Sequence, residues 1–342
     1  MRRVAVQQAP TVWRWQGLVA LVFTLSPTWG WWLGAPWAAL VLGAGVMPVL
    51  EWLLHGRGRP LGPAWRWPPG YLRGLVVLVV AQVVGLALVA AQQPWETVVV
   101  MALAMGYVGG GSGIVLAHEL GHRRSVLDKA LARAALVVVG YGHYAIEHNR
   151  GHHRHAATWP DPATARQHEG LWRFYPRYFA GVWRQAWRLS SQAATRWHEA
   201  GVMLALWLLL LVGLTWWAGA MALIFVLVQA MVAQLLVGAV DYVEHWGLQR
   251  RVVGNGHERL GPAHVWDCAN PVSELLLFNL PRHASHHMQP WLDANGLQRQ
   301  PASPQMPTGY AGMVLLAMVP PWFKAVMTKR LVAAAGAPPA NP

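Results

Sequence analysis

A chain of 342 residues that is 55% hydrophobic and only 12% charged, with 22 tryptophans, has the composition of a polytopic all-α membrane protein rather than a soluble two-domain enzyme. Its formal charge of +13 comes with no aromatic-basic module, which argues against nucleic acid as a partner. The single cysteine, Cys268, excludes disulfide frameworks, iron–sulfur ligation and cysteine-rich zinc sites within the chain.

Taken in chain order, the apolar runs predict about six transmembrane helices, near residues 16–34, 37–54, 71–91, 97–117, 203–217 and 220–240, some shorter than the ~20 residues that cross a bilayer without adjustment. Arg2, Arg3 and Arg14 precede the first, with no short apolar region and small-residue cleavage site, so an uncleaved first span is expected. A Pro/Gly-rich loop, residues 56–70, follows the second span, and Arg57, Arg59, Arg66 and Arg73 lie between the second and third. Arg123 and Arg124 follow the fourth, whereas the connections at residues 34–36, 92–96 and 216–219 hold no Lys or Arg. The positive-inside rule then puts both termini, residues 118–202 and residues 241–342 in the cytoplasm, as expected of a bacterial inner-membrane protein. The chain reads as one domain, residues 1–342, with cytoplasmic metal-binding regions at 118–202 and 241–330 and a frayed tail at 333–342.

Sixteen histidines are present, and all but His55 follow residue 117. His118 and His122 in HELGHRR are spaced i, i+4, on one face of a helix leaving the fourth span. His148, His152 and His153 form H-x-x-x-H-H in EHNRGHH, and His283, His286 and His287 form H-x-x-H-H in RHASHH. His245, in DYVEHWGL, emerges just after the sixth span. Read alone, HELGH is the helical zinc-protease signature, in which the glutamate activates water. Eight clustered histidines, nine with His245, are too many for one zinc and suit two metals, each held by four or five nitrogens with a position left for a small ligand. Glu119, Glu147 and Glu244 adjoin cluster histidines and are the candidates to orient the rings. His143, His155, His168, His257 and His264 are expected in supporting or surface positions.

HELGHRR, EHNRGHH, DYVEHWGL and LPRHASHH, in this order, resemble the four motifs of the membrane alkane 1-monooxygenase family, within the integral-membrane di-iron desaturase and hydroxylase superfamily. The resemblance runs from about His118 to Arg330 and includes YGHYAIEHNRGHHRHAAT and SPQMPTGYAGMVLLAMVPP. It implies a desaturase-like membrane domain with a cytoplasmic helical cap, and two iron ions held by His118, His122, His148, His152, His153, His245, His283, His286 and His287. It also implies O2-dependent terminal hydroxylation of a hydrocarbon, with electrons reaching the site from NAD(P)H through a reductase and a rubredoxin or ferredoxin-type carrier. Asp241, Trp246, Trp159 and Pro281 depart from the family pattern, and none of the departures removes a ligand.

Hydroxylating an unactivated C–H bond needs an oxidant stronger than any side chain, so the metal carries the chemistry and the protein supplies position and dryness. Gly109, Gly110, Gly111 and Gly113, just before the first histidine pair, either line a hydrocarbon cavity or let helices pack closely. With no nucleotide fingerprint in the chain, electrons must come from a partner; Arg123, Arg124, Arg150 and Arg154 either dock an acidic carrier, signal topology or contact anionic lipid of the bilayer. Competing readings are a fatty-acyl or lipid desaturase, an aromatic-methyl hydroxylase, a membrane zinc metalloprotease and a non-catalytic metal carrier.

Overall fold

The computed structural model describes residues 13–55 and 65–335. Arg2, Arg3, Arg57 and Arg59, the side chain of Arg14, most of the expected 56–70 loop and the end of the expected 333–342 tail lie outside the described residues. The elements are α1 (Trp13–Thr24), α2 (Ser26–Trp32), α3 (Ala38–Leu53), α4 (Pro69–Ala90), α5 (Trp95–Gly121), α6 (Val126–Val138), α7 (residues 144–155), α8 (Leu171–Gln192) and α9 (Glu199–His245). A hairpin of β1 (Val252–Val253) and β2 (Gly256–His257) follows, then α10 (Pro271–Leu276), α11 (His283–Met288), α12 (Tyr310–Ala317) and α13 (Pro320–Ala335). Apart from that hairpin the described architecture is helical.

Each of the six apolar runs is helical. Three helices, α4, α5 and α9, are long and apolar enough to cross a membrane. At ~1.5 Å per residue α9 extends for roughly 70 Å, about twice the hydrocarbon thickness of a bilayer, so its 47 residues cannot form one straight span. Gly219, at φ 73° and ψ −166°, breaks it, in a backbone region that glycine enters without steric cost. This is where the sequence places the turn between the fifth and sixth runs. Trp216 and Trp217 flank the break at 91% and 84% exposure, as tryptophans do at a membrane interface. The first run is interrupted at Leu25, between α1 and α2, and α3 is shorter than the long spans.

Helix α5 packs against α9 and leads straight into the first histidine pair. A Cβ at Gly110 would lie 2.8 Å from the Ala233 carbonyl oxygen and 2.9 Å from Leu236 Cβ, and one at Gly106 would lie 2.6 Å from Val232 Cβ. Gly113 abuts α4 through Val79 at 3.0 Å. These glycines let backbones approach; the space a cavity would need at Gly110 and Gly113 is taken by α9 and α4.

Polar contacts tie the membrane helices to the cap. Glu51, fully buried in α3, accepts from Ser273 Oγ at 2.6 Å and from the Ala311 and Gly312 backbone N–H groups at 3.2 and 2.8 Å. These N–H groups belong to the first turn of α12, where a carboxylate is favoured. Asn279 and Asn295 clamp the backbone of Trp65 and Trp67 beside the last histidine box.

Candidate metal centre

The nine histidines of the sequence motifs gather into two groups. One holds His118, His122, His148, His153 and His286; the other holds His152, His245, His283 and His287. Within each group, one ligating-type atom per residue lies within 4.8 Å of all the others.

Local backbone geometry explains a division that cuts across the motifs. Residues 148–152 form a π-type turn, whose i→i+5 pattern brings His148 and His153 to one face, with their Nε2 atoms 3.0 Å apart. Consecutive helical residues point about 100° apart, so His152 faces away from His153 and its Nε2 lies 3.2 Å from that of His287. In α11, His283 and His287 are i, i+4 and meet at 3.0 Å, while His286 turns to His153 at 3.0 Å. His245, at the end of α9, completes the second group 3.3 Å from His283 Nε2.

These nitrogens do not satisfy one another. A neutral imidazole has one N–H and one lone pair, yet His153 Nε2 and His287 Nε2 each meet two other Nε2 atoms. The Nε2 atoms of His118 and His122 are buried without a protein partner. A cation at the centre of each group accepts all of these lone pairs, and the donor set therefore fits a metal site. Burial, followed by the neighbouring rings, holds His148, His153, His283, His286 and His287 well below the ordinary imidazole range, and burial takes His122 to about 4. The rings are neutral at physiological pH, as metal ligation requires.

His152 differs. Burial opposes its charge, but Asp161 raises it to about 9 through Coulomb attraction and a 3.0 Å contact from Nδ1 to Asp161 Oδ2. Asp161 is fixed in turn by Thr164 Oγ1 at 2.7 Å and by the Ala163 N–H at 3.2 Å. This carboxylate is the orienting partner that sequence reasoning missed. Its signal was available: an acidic residue nine positions after His152, in Trp159-Pro160-Asp161-Pro162.

The three glutamates chosen from sequence take different positions. Glu244 places Oε2 3.1 Å from His283 Nε2, and its Oε1 accepts from Tyr310 at 2.6 Å. Glu119 faces Arg123 at 2.8 Å. Glu147 is buried beneath the 148–152 turn, with Oε1 unpaired. The outward Nδ1 atoms of His153, His245, His283 and His287 are also buried and unpaired.

Among the arginines, Arg123 is thus drawn toward Glu119, Arg150 pairs with Glu199 at 2.7 Å, and Arg124 and Arg154 are exposed. A cavity of about 600 Å³ opens beside His122, lined by Lys129, Arg133, Ile146, Arg150, Trp197 and Met203 among others. His143, His155, His168, His257 and His264 belong to neither histidine group. At the positions that depart from the motif pattern, Asp241 accepts from Tyr178 at 2.5 Å and Trp246 donates to the Glu169 carbonyl at 3.3 Å. Trp159 lies exposed under the Arg166 guanidinium, and the Pro281 carbonyl accepts from the Cys268 N–H at 3.0 Å.

Residues 93–316 match the model of the fatty acid desaturase family. The alkane 1-monooxygenase of Pseudomonas putida is 33% identical over 94% of this chain and 84% of its own length. The alkane 1-monooxygenase 1 of Pseudomonas aeruginosa is 34% identical over 93% and 90%. The hydroxylase component of xylene/toluene monooxygenase from Pseudomonas putida is 25% identical over 67% of this chain and 63% of its own. Similarity to the first two extends well beyond residues 118–330, into the N-terminal helices.

Proposed function

The chain belongs to the membrane alkane 1-monooxygenase family of desaturase-like oxidoreductases, and on that premise we propose that it hydroxylates the terminal methyl of an alkane or similar apolar hydrocarbon with O2 at a di-iron centre. The observation that carries the proposal is the convergence of nine buried or half-buried histidines into groups of five and four. The first iron would be held by His118, His122, His148, His153 and His286, the second by His152, His245, His283 and His287. Iron bound there would supply O2 activation and the oxidising strength that C–H cleavage demands.

The number of histidines supports a two-metal site over a single zinc: five gather in one group and four in the other, where one tetrahedral zinc would take four in all. A protease would also need the HELGH glutamate free to activate water, whereas Glu119 is paired with Arg123.

The chain's own residues position the ligands. Asp161 orients His152 and makes its ring a better donor. Tyr310 holds one oxygen of Glu244, leaving the other beside His283 Nε2, where it would add a carboxylate to the nitrogens that hold the second metal. Apolar substrate would arrive from the bilayer. Electrons would arrive from the aqueous side, which on the charge placement would be the cytoplasm of a bacterial inner membrane, through a rubredoxin or ferredoxin-type carrier docked near Arg124, Arg150 and Arg154. The whole chain would act as one desaturase-like domain.

The test is turnover of the purified membrane protein with alkanes of several lengths under 18-O2, with a reductase and carrier supplied. Terminal alcohol carrying one labelled oxygen is expected. An alkene without oxygen incorporation would replace the proposal with desaturation.

A further inference from the structure

We propose that a line of aromatic side chains from His148 to the protein surface is an electron path that discharges the oxidised metal centre when no hydrocarbon is in place. The proposal rests on the oxygenase reading above. O2 activation without substrate leaves an oxidant with nothing to attack but its own ligands, and a route that moves the oxidising equivalent outward protects them.

The line has no gap. Tyr144 stacks on His148 with ring centroids 5.0 Å apart, and Tyr141 stacks on Tyr144 at 5.1 Å. Tyr141 meets His143 at 4.9 Å, His143 meets Trp183 at 4.6 Å, and Trp183 meets Trp187 at 5.8 Å. Tyr141 and Tyr144 are buried, at 0% and 4%, while Trp187 is 43% exposed. Every ring-to-ring step is thus shorter than 6 Å, and two redox-active indoles stand at the outer end.

A second observation is independent of the stacking. Oxidising a phenol in a dry interior requires somewhere for its proton to go, within hydrogen-bond reach. Tyr141 donates to Tyr178 Oη at 3.0 Å, and Tyr178 donates to Asp241 Oδ2 at 2.5 Å. The phenol in the middle of the line is therefore joined to a carboxylate by two hydrogen bonds.

The steps balance. One electron leaves Tyr141 for the centre through Tyr144 and His148, while the Tyr141 proton passes to Tyr178 and the Tyr178 proton passes to Asp241. An electron from Trp183, by way of His143, restores Tyr141, and the protons return along the same bonds. Trp187 then supplies an electron to Trp183, and the oxidised indole of Trp187 is reduced by an external one-electron donor such as a thiol or ascorbate. Quenching an oxidant two electrons above the resting state takes two passes and two donor molecules, with two solvent protons completing water.

The test uses full-length, iron-loaded enzyme turned over with carrier and O2 but without hydrocarbon or thiol. Freeze-quench electron paramagnetic resonance and peptide mass spectrometry are the readouts. Wild-type protein should show a tyrosyl or indolyl radical and oxygen-addition products concentrated at Trp187 and Trp183. Tyr141→Phe and Trp183→Phe, which keep a ring in place, should lose the Trp187 product and gain oxidation at Tyr144 and the ligand histidines, with substrate hydroxylation unchanged. Equal Trp187 oxidation in wild type and both variants would overturn the path, as would a wild type that hydroxylates hydrocarbon yet leaves Trp183 and Trp187 unmodified. A wild type that neither binds iron nor hydroxylates would remove the oxygenase reading and the path together.

Discussion

Replacing Asp161 by Asn removes one negative charge 3.0 Å from His152 Nδ1 while leaving the shape of the site almost unchanged. An Asn carbonyl in the place of Oδ2 still accepts from His152 and from the Thr164 hydroxyl, while its amide takes the place of Oδ1 and gives up the 3.2 Å hydrogen bond from the Ala163 N–H. Two unit charges at this distance would interact by about 5 kcal/mol at an effective dielectric constant of ~20, an upper bound because a metal-bound ring carries only part of a charge. Losing an orienting carboxylate behind a ligand histidine costs typically ~10–100-fold in metal affinity, or about 1.4–2.7 kcal/mol. The loss should fall on one metal only, since His152 belongs to the four-histidine group and Asp161 touches no member of the other. The assay is iron per chain after equilibration against graded chelator, which should give two release steps in wild type. In Asp161→Asn the weaker step should move by the stated factor while the other stays. An unshifted curve, or an equal shift in both steps, would refute the reasoning.

Tyr310→Phe removes the 2.6 Å hydrogen bond to Glu244 Oε1 and leaves a buried carboxylate oxygen unpaired, so thermal stability should fall by about 1–3 kcal/mol, read by melting in detergent with metal content measured alongside. Gly110→Ala places a methyl group 2.8 Å from the Ala233 carbonyl oxygen and should cost about 1–3 kcal/mol through overpacking of α5 on α9, whereas Gly111→Ala, whose Cβ would meet only Leu236 at 3.9 Å, should be tolerated on this count. Burial raises Asp267 to about 7 against backbone hydrogen bonds from Ala284 and Gln300 that lower it. Because the folded value lies above the unfolded one of ~3.9, the stabilising protonated form is lost as pH rises from about 4 to 7. Asp267→Asn, which can still accept from the Ala284 N–H, should flatten that decline in a melting-temperature series across the same range.

The histidine boxes are legible in sequence because i, i+4 spacing on a helix needs no tertiary information, and the turn at residues 216–219 is legible because the apolar stretch from 203 to 240 is too long for one span. The division of the histidines into two groups is not legible. It depends on the π-type turn at 148–152, which pairs His148 with His153 rather than with His152, and no propensity in His-Asn-Arg-Gly-His announces it. Sequence adjacency misdirects for the same reason that makes it attractive. Glu119 adjoins His118 yet turns to Arg123, its i, i+4 neighbour, while Asp161 reaches His152 because the chain reverses after Ala157, a non-glycine residue at φ 59°. The glycines before HELGH suggest open volume in one dimension, and only the packing of α5 on α9 and α4 shows that volume filled at Gly110 and Gly113.

Metal stoichiometry in wild type beside one ligand variant from each group tests the central claim most directly. Elemental analysis of purified protein should give two irons per chain in wild type. His122→Ala and His245→Ala, which fall in the five- and four-histidine groups respectively, should each retain about one. A single zinc in wild type, or complete metal loss in only one variant and none in the other, would contradict two iron sites assembled across the four motifs.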